Sequence, residues 1–93
     1  MNEIYFTDFP MNDNWVAGHH QAGYSFEAKL YDAPSMSGIR RGRVSKLNIE
    51  TDSTGEIIAD YDRGWNTRAS TQEEKKVVKA ILAFLENAPI RFS

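Results

Sequence analysis

Residues 24–32 read as a strand whose alternation is clean from Tyr24 to Leu30. Tyr24, Phe26, Ala28 and Leu30 fall on one side, and Ser25, Glu27 and Lys29 on the other. A period of two marks a strand with one face in a core. The period returns over residues 43–50, where Leu47 and Ile49 share a face. Val44 sits off that parity, which predicts a bulge or two-sided burial near the strand start. Residues 56–62 read as the next strand, with Ile57, Ala59 and Tyr61 on one side, after a polar turn containing Gly55. Residues 15–23 read as a short strand running into a turn. Residues 1–13 carry Ile4, Tyr5, Phe6, Phe9 and Met11 without strict alternation, and form a candidate arm that is either a strand or a docking segment.

The period then changes to that of a helix. Val77, Val78, Ile81, Leu82, Phe84 and Leu85 make a broad apolar stripe over residues 71–87. Thr71 with Glu74 three positions on is a capping-box pair, Ser70 is a second candidate cap, and Asn87 and Pro89 end the helix. Lys75, Lys76 and Lys79 read as its solvated face. Short connections favour antiparallel neighbours. The expected fold is therefore α+β: an antiparallel sheet of three or four strands, a β-meander over residues 14–66, with one C-terminal helix packed on one face. Residues 1–93 are read as a single domain.

Composition narrows the function classes. There is no cysteine, so thiolate catalysis, disulfides and zinc-thiolate sites are excluded. No basic, apolar leader stands at the amino terminus and no stretch approaches a membrane span, so the expected setting is cytoplasmic and free of membrane. A net charge of −2 argues against a dedicated nucleic-acid binder, whose affinity comes largely from neutralised phosphates.

Candidate chemistry is sparse. His19 and His20 are adjacent, so on a strand they point to opposite faces and do not converge on one ion. Asp60 and Asp62 share a strand face. That spacing suits a cation or a shared proton, but pairing with Arg63, Arg41 or Arg43 across the strand ends is the favoured reading. Gly38-Ile-Arg-Arg-Gly-Arg43 lacks the Gly-Lys-Ser/Thr ending of a phosphate loop and precedes a strand rather than a helix. It retains arginines and backbone N–H groups able to hold an anion, a carboxylate or a nucleotide. No nucleophile stands beside a base with an orienting partner, so the expectation is no enzyme, no catalytic residue, no metal and no cofactor.

Two segments carry a resemblance. Tyr31-Asp32-x-Pro34-Ser35-x-x-Gly38-Ile39 followed by Gly42-Arg43-Val44-Ser45-Lys46-Leu47, and Tyr61-Asp62-Arg63-Gly64-Trp65 ahead of an acidic-start helix, resemble a small family of uncharacterised proteins from bacteriophages and Firmicutes genomes. The resemblance spans residues 22–87. It implies a phage or mobile-element accessory protein and supplies no catalytic residues.

These readings converge on a non-enzymatic binding module that docks on a host or phage protein, an anti-defence inhibitor being one such role. The alternative is a small protein that sequesters a nucleotide or metabolite. Arg40, Arg41, Arg43, Arg63 and Trp65 are the expected contact residues, with Asp60 and Asp62 holding the free site in order. Arginine and tryptophan are enriched at interface hot spots, and a guanidinium stacks on an indole while still binding a carboxylate. The apolar residues of the arm and of the last five positions predict self-association as a homodimer.

Overall fold

A computed structural model describes residues 3–8 and 14–89. Within them lie strands β1 (Ile4–Asp8), β2 (Trp15–His20), β3 (Tyr24–Leu30), β4 (Val44–Thr51), β5 (Ile57–Asp62) and β6 (Trp65–Thr67), a 3-10 turn at Ile39–Arg41, and helix α1 (Gln72–Glu86). The strands pair in chain order, β1-β2-β3-β4-β5-β6, and every pair is antiparallel. Among the described residues no strand crosses over another.

Six strands replace the three or four expected. The additions lie at the two edges. β1 hides its period because Tyr5 puts an aromatic ring on the open face between Ile4 and Phe6. Pairing with β2 (Ile4 opposite His20, Phe6 opposite Gly18) sorts the faces. β6 is three residues long, too short for periodicity to register, and forms because Trp65 pairs with Tyr61. Phe9, Met11, Ile90 and Phe92 lie outside the described residues.

The core lies between one sheet face and α1. Val16, Tyr24, Phe26, Ala28, Leu30, Leu47, Ile49 and Ala59 supply the sheet side, while Val77, Ile81 and Leu85 supply the helix side. The last three recur every fourth residue, a line down one side of the helix. Thr71 caps α1 by accepting from the Glu74 N–H at 3.1 Å, and the Glu74 carboxylate accepts from the N–H groups of Ser70 and Thr71. These bonds, that from Ser70 foremost, hold the Glu74 carboxyl below the usual carboxylate range.

Two bulges set what faces the core. β3 pairs Lys29 with Lys46 and then Leu30 with Val44, so Ser45 is the extra residue and Val44 is returned to the buried side. β4 pairs Ile49 with Ala59 and then Glu50 with Ile57, which leaves Ile58 as the extra residue. Ile58 is buried in consequence and Ile57 is 45% exposed, so Ile57 does not share the buried face of Ala59 as its spacing predicted.

Candidate functional site

The connection from β3 to β4 is built around close approaches of its backbone. A side chain at Gly38 would collide with the backbone of Gly42, and one at Gly42 would collide with the carboxylate of Glu86. Backbone against backbone makes glycine obligatory at position 38, while at position 42 it is what lets the Glu86 carboxylate come this close. Where the second closes against the helix end, the N–H of Arg43 donates to both Glu86 oxygens, at 3.0 and 2.9 Å. The anion held by this loop is the protein's own carboxylate.

Arg43 completes the clasp with its side chain. It is 6% exposed. Its Nε donates to the Tyr31 carbonyl at 2.9 Å and its Nη1 to the Ala88 carbonyl at 2.6 Å. Arg43 therefore ties the start of β4 to the chain leaving α1, and it is not part of an exposed contact surface as its position among the arginines suggested. Its neighbours differ. Arg40 and Arg41 are exposed, with φ of 53° and 59°. The left-handed region disfavours side chains larger than glycine, so the turn holds two arginines in conformations that raise its energy.

On the sheet side, β5 and β6 turn back through Arg63 and Gly64, with Arg63 exposed at φ 64°. This tight turn places Tyr61 and Trp65 side by side, ring centroids 5.2 Å apart and edge to face. The Arg68 guanidinium lies over the Trp65 ring at 5.5 Å from its centroid. A guanidinium does stack on this indole, but it comes from the segment after β6 rather than from the arginine loop.

Between these aromatics and α1 runs a groove of about 1190 Å³. Tyr61, Trp65 and Ala69 line one wall, Val78, Leu82 and Ala83 the other, and Ile39, Arg40 and Gly42 close one end. Arg40, Arg68, Lys75 and Lys79 bring four cations to it, and Glu86 is the single carboxylate among its lining residues. Of the expected contact residues, Arg40 and Trp65 meet here. Arg41 and Arg63 are exposed on the two neighbouring turns without lining the groove, and Arg43 is buried in the clasp.

The supporting carboxylates take partners other than those expected. Asp62 lies 3.7 Å from the Lys46 ammonium, its register neighbour, and Asp60 accepts from the Asn66 amide at 3.3 Å. Arg68, Lys75 and Lys79 were missed as site residues. The available signal was the width of the helix stripe: Val77, Ile81 and Leu85 fill one line, so Val78 and Leu82 had to face something beside it. The two lysines flank that second line.

On the opposite sheet face, His19 Nε2 lies 2.5 Å from Asp52 Oδ2, and Ser25 Oγ donates to Asp52 Oδ1 at 2.5 Å. The carboxylate stands between serine and histidine, so the imidazole is not placed to take the hydroxyl proton and this is no nucleophilic triad. The bonds from Ser25 and then His19 hold the Asp52 carboxyl below its usual range. His20 turns to the helix side and is 8% exposed. Among the described residues, no cluster of three or more His, Asp or Glu could hold a metal ion, and no helix is long and apolar enough to cross a membrane.

The chain belongs to a family described as Domain of unknown function (DUF7678), whose model matches residues 14–86. The match takes in β2, ahead of the segment where the motif resemblance begins, together with the groove and, Ala88 apart, the clasp. No curated protein and no solved structure matches the chain.

Proposed function

We propose that this protein is a non-enzymatic binding module whose contact site is the groove between α1 and the β5–β6 hairpin. The observation that carries this reading is the groove's composition: a half-buried Tyr61–Trp65 pair beside Val78 and Leu82, with Arg40 and Arg68 at the margin. Tryptophan, tyrosine and arginine are the residue types that dominate interface hot spots, and an apolar centre with a polar rim is the anatomy of a protein contact. The partner is a protein of the host or of the phage itself. The phage and mobile-element setting is what the motif resemblance implies, and the anti-defence role is an analogy with small phage proteins that bind host factors.

The test is affinity capture from host lysate with the wild-type chain and with Leu82→Glu, which places a charge in the groove wall. A partner retained by the first and lost by the second is the expected result. A partner retained by both moves the site elsewhere. A rise in melting midpoint with nucleoside triphosphates or cyclic dinucleotides, abolished by Leu82→Glu, would replace docking with sequestration of a small ligand.

A further inference from the structure

We infer that the occupant of this groove is an acidic segment with interleaved apolar side chains, supplied by the partner protein; the inference rests on the binding-module reading above and specifies its ligand. Three observations carry it. The first is charge. The chain as a whole is acidic at net −2, yet four of its 11 lysines and arginines line the groove against one of its 13 carboxylates. That one, Glu86, already accepts from the Arg43 N–H through both oxygens. The local field therefore favours an anionic partner and repels a basic one.

The second is shape. The helix wall runs from Lys75 to Glu86, eleven residues on, or about 16 Å at the α-helical rise. That length takes about five extended residues or three helical turns of a partner. The volume of about 1190 Å³ also exceeds the roughly 300–1,000 Å³ typical of small-molecule pockets. A peptide segment fills such a groove, and a single nucleotide leaves most of it empty.

The third is the chemistry of the walls. Ile39, Ala69, Val78, Leu82 and Ala83 are aliphatic, and one approach to the Trp65 ring is taken by Arg68. Single-stranded nucleic acid gains its affinity by stacking bases on open aromatic faces; here the two aromatic rings, Tyr61 and Trp65, pack edge to face on each other, and the remaining walls are aliphatic. Leucine or phenylalanine side chains fit them, while carboxylates reach Arg40 and Arg68 at the margin. Arginine pairs with carboxylates through two parallel bonds, which sets register as well as charge.

The test can be run before any partner is identified. A library of random twelve-residue peptides is selected on the full-length wild-type chain and counter-selected on Leu82→Glu. A second variant, Arg68→Glu with Lys79→Glu, reverses charge at exposed groove positions, and melting curves confirm that both variants fold. The expected peptides combine Asp or Glu with Leu, Phe or Trp, and bind the wild type at least tenfold more tightly than either variant. Selection on the charge-reversed chain should instead return basic peptides. Neutral or basic peptides that still depend on Leu82 would overturn the acidic preference and leave the groove as a protein-binding site. The inference also fails if no peptide distinguishes wild type from Leu82→Glu. Tight binding of oligo(dT) that the charge reversal abolishes, or a wild-type dimer in light scattering that Leu82→Glu dissolves, would put nucleic acid or a second copy in the groove and overturn it likewise.

Discussion

The two flanks of α1 face the same sheet and are treated in opposite ways. On the β1 side the space is filled with rings: Phe84 lies 4.9 Å from Phe6 and 6.4 Å from Phe26, centroid to centroid. Gly18 makes this possible, because any side chain there would collide with the Phe26 ring and the Tyr5 carbonyl oxygen. On the β6 side Tyr61 and Trp65 meet each other instead of the helix, and Val78 and Leu82 face them across an open groove. Six strands at about 4.8 Å spacing span more width than one helix of about 10 Å diameter covers. Among the described residues, one flank is open. The fold seals one flank with aromatic rings and leaves open the one bordered by Arg40, Arg68, Lys75 and Lys79.

If the shared centre line holds both flanks together, its loss should have the largest effect. Ile81 is fully buried, and Ile81→Ala should cost about 2–5 kcal/mol, a large share of the roughly 5–15 kcal/mol that stabilises a domain of this size. A loss of less than about 1 kcal/mol in denaturant unfolding would mean that the helix is loosely seated. Arg43→Ala should come next, at about 2–4 kcal/mol, because the carbonyls of Tyr31 and Ala88 lose a charged donor. Arg40→Ala, three residues earlier in the same loop, should stay within about 0.5 kcal/mol because its side chain is exposed. Equal losses at the two positions would erase the distinction between clasp and groove.

The flanks themselves are separated by a smaller pair of changes. Gly18→Ala should destabilise by about 1–3 kcal/mol through overpacking against Phe26. Leu82→Ser should lose about 1 kcal/mol or less, since its side chain is only half-buried at the groove wall. Chemical denaturation of the two variants side by side measures the asymmetry directly. A Leu82→Ser loss matching that of Gly18→Ala would show the open flank to be core after all.

Much of this contrast is legible in the order of residues alone, and the exceptions have physical causes. The strand over Tyr24–Leu30 and the helix with its Thr71 cap show because one period dominates each. The edge strands do not: β1 puts aromatics on both faces, and β6 exists through its pairing with β5. The segment from Tyr61 to Trp65 stands out by its motif, and the turn at Arg63 and Gly64 that brings Trp65 to the site is seen in the fold. The fate of Arg43 is not legible, because a buried and an exposed arginine look alike in a loop. What separates them is the Ala88 carbonyl, forty-five residues away, which only the closed fold brings to the Arg43 guanidinium. Arg68, Lys75 and Lys79 escape for the same reason: a lysine beside an apolar stripe is ordinary until the stripe is found to face an unfilled gap.

The smallest effect belongs to the sheet face away from both flanks, where Asp52 ties the β4–β5 turn to Ser25 and His19. Those bonds depress its carboxyl in the folded state, so folding favours the ionised form. The contribution is fully present above the carboxyl's unfolded value and disappears as pH falls through the lower folded one. The Asp52 side chain is 38% exposed and solvent screens the interaction, so the effect is a modest one. Asp52→Asn keeps the shape of the side chain and removes the charge. Its melting midpoint should lie slightly below wild type at neutral pH, and the gap should close in strong acid, once the wild-type carboxyl is protonated. A gap that persists unchanged there would assign the contribution to hydrogen-bond geometry and not to charge. Because the turn lies across the sheet from the groove, the substitution should leave partner binding untouched, and a loss of binding would show that the two faces are coupled.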